Sequence, residues 1–390
     1  MKLDWALEWM PVLKDVGARL RLDGIRIGIC LTLEPKTANL AVILRDAGAE
    51  VAVHCPATST TDEVADALRD LGITVFARST ATKSEDLDLA DHFLRWSPQI
   101  LIDDGATMIR RLHSHHPDAL KTIWGAAEET TSGIRPLRAM GENLKIPVLA
   151  VNDATTKYLF DNVYGTAQSC VMTFVDLTNL QLAGRDVLVI GYGWVGRGLA
   201  RYLTGLGSRV TVSELDAIKA LQALHDGHRV AAFAQAAPTA EVIFSATGVR
   251  GSITPEQLAQ VRDGVFLAVA GGARDEIPMT YLHGLGTFRT TRSEVQEFTL
   301  PDGRAVKVIA DGECMNVTAA EGNPIEIMDL SLALQALAVQ HLALNARSLT
   351  PGVHDLPAAF GQEVANIRLT AAGAALEPLT EELRRAQEEW

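Results

Sequence analysis

Three groups of residues in this chain have the types and spacing to do chemistry. Gly191-Tyr-Gly193-Trp194-Val195-Gly196 follows the apolar run Val187-Leu-Val-Ile and opens a helical pattern from Leu199 to Leu206. A strand feeding a G-x-G-x-x-G loop and then a helix is what a dinucleotide site needs. Gly191 allows the tight turn, Gly193 lets the backbone approach the pyrophosphate, and Gly196 lets helix pack on strand. The phosphates then meet the unpaired N–H groups at the helix start. A second strand, Val210-Thr-Val-Ser, ends in Glu214, roughly 20 residues on, where a carboxylate can bind the cofactor ribose. An acid there, not an arginine, selects NAD over NADP. The second group is Lys157 and Asp161, four apart and on one face of a predicted helix, which on spacing alone read as a solvated ion pair. The third is a set of polar stretches: Thr32-Leu-Glu34-Pro-Lys36, Pro56-Ala-Thr-Ser59-Thr, Asp103-Asp104-Gly105, Glu128-Glu129-Thr-Thr-Ser-Gly133 and Asn152-Asp153.

These stretches follow short apolar runs that alternate with helical segments of about ten residues, the pattern of parallel sheets with crossover helices. Strands are expected at Ile25–Leu31, Glu50–Val53, Ile73–Ala77, Ile100–Asp103, Val242–Ser245 and Gly264–Val269, with a hairpin around Leu300-Pro-Asp-Gly303. Ligands of such sheets bind beyond the carboxyl ends of the strands, so the polar stretches point to one crevice. The fold expected is α/β: two doubly wound parallel-sheet domains, one of them a Rossmann NAD-binding domain. Residues 1–160 plus 325–360 would form a discontinuous substrate-binding domain, 165–320 the NAD domain, and 361–390 a C-terminal helical segment. Residues 1–23 read as helical, and Ile325–Leu344 as a long apolar helix.

Bulk properties exclude several classes. The 390 residues suffice for two or three domains, and 47% hydrophobic with 21% charged residues reads as an ordinary soluble globular protein. A net charge of −13 argues against a nucleic-acid partner. No uninterrupted apolar run reaches membrane-spanning length, and the first residues lack a signal-peptide layout, so a cytoplasmic protein is expected. Cys30, Cys55, Cys170 and Cys314 show no C-x-x-C spacing, which points to free thiols and no metal site. His113, His115 and His116 are expected to be exposed in a polar connection.

Taken together, several phrases resemble one family, the S-adenosyl-L-homocysteine hydrolases, in their shorter bacterial and archaeal form. They are Asp103-Asp-Gly, Glu128-Glu-Thr-Thr-Ser-Gly, Asn152-Asp with Lys157, Phe160-Asp-Asn-Val-Tyr-Gly165, the Gly191 loop, and Gly322-Asn-Pro-Ile-Glu-Ile-Met-Asp-Leu-Ser331. The resemblance implies tightly held NAD, regenerated in each turnover, and a homo-oligomer, usually a tetramer. It implies oxidation of a purine nucleoside at its 3′-hydroxyl, loss of the acidified C4′ proton, departure of the 5′ substituent, addition of water and final reduction. Lys157 and Asp161 would then serve the 3′-hydroxyl, where an ammonium held by a carboxylate can relay a proton. Asp104 would be the C4′ base and Glu129 a ribose contact. Thr130, Thr131, Ser132 and Asn162 would line the nicotinamide side. Thr247, Gly248 and Asn316 would complete the cofactor groove, and Glu34 and Ser59 would contact the nucleoside.

The chain departs from that family at three histidines, replaced by Thr32, Gly272 and Asn323, and at Thr107 in the phrase Asp103-Asp-Gly-Ala-Thr. The first two belong near the 5′ position and the third near the base; Thr32, Gly272 and Asn323 are therefore expected to line the substrate. A positioned acid–base group supplies roughly 10²–10⁴-fold in rate. Retention of Lys157, Asp161 and Asp104 without those histidines leads to a 4′,5′-dehydratase of a purine nucleoside, of the angustmycin-antibiotic type. The alternatives are an adenosylhomocysteinase releasing adenosine and homocysteine, and an NAD-binding pseudoenzyme.

Overall fold

In the computed structural model, which describes residues 2–271 and 275–389, the strands form two sheets. The first is built from β1 (Arg26–Cys30), β2 (Glu50–His54), β3 (Thr74–Phe76), β4 (Ile100–Asp103), β5 (Gly125–Glu128) and β6 (Pro147–Ala150). The second holds β7 (Asp186–Ile190), β8 (Arg209–Ser213), β9 (Arg229–Val230), β10 (Val242–Ser245), β11 (Val265–Val269), β12 (Phe288–Arg292), β13 (Val295–Thr299) and β14 (Ala305–Ile309). A last strand, β15 (Gly352–Asp355), returns to pair with β6 in parallel. The spatial orders are β3-β2-β1-β4-β5-β6-β15 and β9-β8-β7-β10-β11-β14-β13-β12. The second order turns back at β14, where antiparallel β13 and β12 are added, and each order reverses once between parallel neighbours, β1 and β4 in the first sheet and β7 and β10 in the second. That reversal opens the crevice in which doubly wound sheets take ligands.

The sequence dictates much of this locally. β4 and β10 are buried at every residue, as strands covered on both faces by helices must be, so they read as continuous apolar runs. The antiparallel end is the expected hairpin, with Thr299 opposite Ala305 on either side of the Leu300–Gly303 turn. β12 extends it as an exposed edge strand that the polar sequence Phe288-Arg-Thr-Thr-Arg did not announce.

The amino-terminal helical run is two helices, Lys2–Glu8 and Pro11–Arg19. Proline lacks an N–H and so starts the second rather than continuing the first. Asp329 meets the orphan donors of that start, accepting from Val12 N at 3.0 Å and Leu13 N at 2.7 Å. It lies on Ile325–Asn345, the long apolar helix, which is apolar on all sides because it runs through the core beneath the first sheet. That helix is long and apolar enough to cross a bilayer, but 67% of its most apolar window is buried inside the protein. Helix Ala358–Ala371 packs on it, and the boundary expected at residue 360 falls inside this helix.

Between the sheets the chain passes through helix Thr155–Tyr158, a π-helical turn Asp161–Thr166 and helix Ala167–Thr178. A π turn widens the helix by one residue and recurs at functional sites. Here it carries Asp161 and Asn162.

Candidate active site

Each of the two acidic doublets divides its work. Asp103 and Glu128 are register partners on β4 and β5 and are fully buried. Asp103 accepts from the backbone N–H of Asp104 (3.0 Å), Met108 (3.2 Å) and Ile109 (2.8 Å). Glu128 accepts from Gly105 N (2.8 Å), Ala106 N (2.9 Å) and Thr130 N (3.0 Å). Burial pushes the Asp103 carboxyl up to about 7 in spite of those donors, and pushes Glu128 up as well, with Asp103 adding repulsion. The first acid of each doublet thus pins the loop from Asp103 to Ala106. The second acids, Asp104 and Glu129, face the crevice.

Lys157 lies at the centre of the crevice, 3% exposed, so the pair with Asp161 is not the solvated one its spacing suggests. Its Nζ is 2.7 Å from Asp161 Oδ2, 3.3 Å from Asn162 Oδ1 and 3.7 Å from Glu129 Oε1. Burial opposes the charge, but Asp161, Glu129 and Asp104 outweigh it and raise the ammonium to about 12. Burial raises Glu129 and Asp104 above the usual carboxylate range, with Lys157 pulling each back down. Glu129 is held from the core helix: Ser331 Oγ donates to it at 2.7 Å and Gln335 Nε2 at 2.5 Å. Sequence reasoning missed both anchors, since nothing local relates residues that far apart.

The glycine loop after β7 has the expected form. Gly191 adopts φ +91°, and a side-chain carbon at Gly196 would collide with the Gly191 carbonyl. A carbon at Gly193 would meet nothing, so open space lies over the start of helix Trp194–Gly205, which no side chain caps. Arg197 lies under the Trp194 ring at 4.8 Å, and its buried Nε has no hydrogen-bond partner among the described residues. An uncapped helix start, a vacant glycine face and an unmatched guanidinium N–H fit a pyrophosphate. Glu214 accepts from Tyr192 N (2.6 Å), Leu215 N (2.7 Å) and Asp216 N (3.0 Å). Burial works against its charge, yet those donors hold it below the ordinary glutamate value. Buried Glu276, another residue the sequence did not flag, grips the facing loop by accepting from Thr247 N (3.2 Å) and Gly248 N (3.1 Å).

One cavity of about 900 Å³ brings these parts together. Thr32, Glu34, Ser59, Asp104, Glu129, Thr130, Thr131, Ser132, Lys157, Asp161 and Asn162 line it, as do Gly193, Trp194, Val195, Thr247, Gly248, Asn316 and Asn323. Gly191, Gly196 and Glu214 do not line it. Gly272 lies outside the described residues. Arg110, Arg135, Lys219 and Arg250 also line the cavity and were not anticipated. Glu34 is already engaged, capping helix Pro35–Asp46 and pairing with Lys36 at 3.1 Å. The histidines expected in a polar connection are instead on or beside helix Thr107–His115. His113 bonds Ile109 O (2.7 Å), and His116 bonds Asp91 (2.6 Å).

A Rossmann sheet presenting an open glycine loop to a buried lysine–carboxylate cluster defines an NAD-dependent enzyme of the α/β class. Residues 6–117 match the model of the family described as S-adenosyl-L-homocysteine hydrolase, and residues 162–322 the model of its NAD binding domain. An S-inosyl-L-homocysteine hydrolase of Methanopyrus kandleri is 44% identical over 100% of this chain and 94% of its own length. Adenosylhomocysteinases of Archaeoglobus fulgidus and Thermotoga maritima are 42% and 39% identical, each over 100% of this chain and 98% of theirs. The chain belongs to the S-adenosyl-L-homocysteine hydrolase family, and NAD is its cofactor.

Proposed function

We propose that the enzyme acts on a purine nucleoside carrying a 5′ leaving group, through transient oxidation of the 3′-hydroxyl and elimination across C4′–C5′. The observation that carries this is the buried cluster of Lys157, Asp161, Glu129 and Asp104 facing the cofactor groove. NAD supplies, when bound, a reversible acceptor for the hydride of the 3′ carbon. Lys157 handles the hydroxyl proton, and the surplus of carboxylates around it gives that proton a place to go. Asp104 takes the C4′ proton once the neighbouring ketone acidifies it; its raised proton affinity suits a base. The electron pair released forms the C4′–C5′ double bond as the 5′ substituent leaves with its own pair. Glu129, fixed by Ser331 and Gln335, orients the ribose.

Hydrolysis of a homocysteine thioether of adenosine or inosine is the reading best supported, because relatives of near 40% identity over the full chain carry those names. Leaving-group chemistry supports it further and reverses the preference drawn from the missing histidines. A thiol ionises at about 8.5, and water is a far weaker acid. A thiolate therefore departs without a strong acid, whereas hydroxide needs one. Losing 5′ acids should thus hamper dehydration more than thioether elimination. Dehydration remains a second reading on one observation: Thr32, at the position where the resemblance implies a histidine, lines the cavity wall. Incubation with S-adenosyl- and S-inosyl-L-homocysteine, read with a thiol reagent, should release homocysteine. No thiol from either, together with loss of water from adenosine or psicofuranosyladenine by mass spectrometry, would overturn the first reading in favour of the second.

A further inference from the structure

Asn323 was expected to touch the substrate, but its side chain has no valence to spare. Nδ2 donates to Asp161 Oδ1 and to Thr166 Oγ1 (3.1 Å), while Oδ1 accepts from Ser169 Oγ (3.0 Å) and Asn316 Nδ2 (2.9 Å). An amide offers two donors and a two-lone-pair acceptor, and all are used. The orientation of the amide is fixed too, since an ionised carboxylate only accepts and must face the nitrogen. The π turn makes room for this reach: a side-chain carbon on Gly165 would come within 3.2 Å of the Asn323 nitrogen. Asn316 also donates to Ser169 Oγ at 2.9 Å, which closes the network on the cofactor side. A continuous path therefore runs from Asn316 in the cofactor groove through Asn323 and Asp161 to Lys157, joining the two sheets.

We propose that Asn323 is a positioning residue for the Lys157–Asp161 pair and not a contact to the purine. Its amide holds the Asp161 carboxylate against the lysine and ties that pair to the wall on which the nicotinamide is to lie. The donor side of the amide, not its bulk, does the work. This rests on the functional reading above, in which Lys157 serves the 3′-hydroxyl.

The test uses NAD-loaded enzyme and adenosine. Asn323→Asp keeps the shape but presents an acceptor to Asp161 in place of a donor. Single-turnover reduction of bound NAD, followed by near-ultraviolet absorbance, should slow by about a hundredfold, in the range of a displaced acid–base group. Adenosine affinity by calorimetry should stay within about threefold, the split expected for a group that acts on the chemical step. Ser169→Ala removes the hydroxyl that bonds the Asn323 oxygen, the Asn316 amide and the Thr166 carbonyl, leaves the Asn323 donors to Asp161 and Thr166 in place, and should slow reduction by about fivefold, the order of one neutral hydrogen bond. Should Asn323→Asp fail to fold, as judged by its thermal midpoint, the Ser169→Ala result decides. Unchanged reduction rates in either folded variant overturn the proposal. So does a large loss of adenosine affinity with the rate kept, which would make Asn323 a base contact. Wild-type enzyme that reduces no NAD with any purine nucleoside overturns the functional reading itself, and the proposal with it.

Discussion

The ring of Tyr158 lies on the indole of Trp194, with centroids 4.6 Å apart and planes 21° from parallel. Tyr158 follows Lys157 on the first sheet's side of the cleft, and Trp194 is the first residue of the glycine-loop helix on the other. The stack therefore couples the position of the lysine to the position of the cofactor loop.

An aromatic pair contributes about 0.5–1.5 kcal/mol beyond its area. Trp194→Ala should accordingly raise the KM for nucleoside by roughly 2- to 10-fold with kcat little changed, by conversion of that range. Steady-state kinetics check this; a fall in kcat at constant KM would mean that the stack acts on the chemical step and not on nucleoside binding.

Lys157→Met removes the group proposed to serve the 3′-hydroxyl while keeping an unbranched chain in its buried slot. Reduction of bound NAD on adding nucleoside should fall by about 10²–10⁴-fold, with the NAD content of the purified protein unchanged. Retention of the wild-type rate would remove Lys157 from the mechanism.

Two glycines of one loop should behave differently. At Gly196 an added carbon strikes the Gly191 carbonyl, so Gly196→Ala must spread helix from strand and lower the thermal midpoint. At Gly193 the space is open, so Gly193→Ala should fold normally yet lose NAD, because the methyl occupies the face meant for pyrophosphate. Thermal melts of stripped protein and NAD titration separate the two effects.

Stability should depend on pH through the buried acids that pin the Asp104 loop. Asp103 titrates near 7 in the folded chain and about 3.9 when unfolded. The folded state thus binds a proton that the unfolded state releases between these values, so its advantage is greatest below about 4 and shrinks as pH rises through 7. From this group alone the thermal midpoint should be lower at pH 8 than at pH 6. Asp103→Asn should flatten that difference, at the cost of an amide facing backbone donors. A midpoint that rises from pH 6 to pH 8 and is unaffected by the substitution would contradict the assignment.

Much of this architecture was legible because the signals are local. Gly191, Gly193 and Gly196 between a β-branched run and a helix mark a dinucleotide loop within twelve residues of sequence, and the polar stretches after β1, β4 and β5 mark the crevice. The roles within each acidic doublet were not legible. Asp103 and Asp104 are identical in type, and only the donors each meets in three dimensions tell the loop anchor from the residue facing the cavity. Asn323 shows the same limit: its position in a family phrase suggests a substrate contact, and it lines the cavity, but only the structure shows that its amide makes four hydrogen bonds to protein groups. The edge strand β12, rich in arginine and threonine, lacks the apolar alternation that reveals a buried strand.

The core helix Ile325–Asn345 has a temporal consequence. Glu129 leaves the ribosome about two hundred residues before Ser331 and Gln335, the groups 202 and 206 positions downstream that hold its carboxylate. Strands β1 to β6 can form early, but the Ser331 and Gln335 donors reach that acid only when nearly the whole chain is made. The hold on that carboxylate is therefore completed late in synthesis, with the return of one helix.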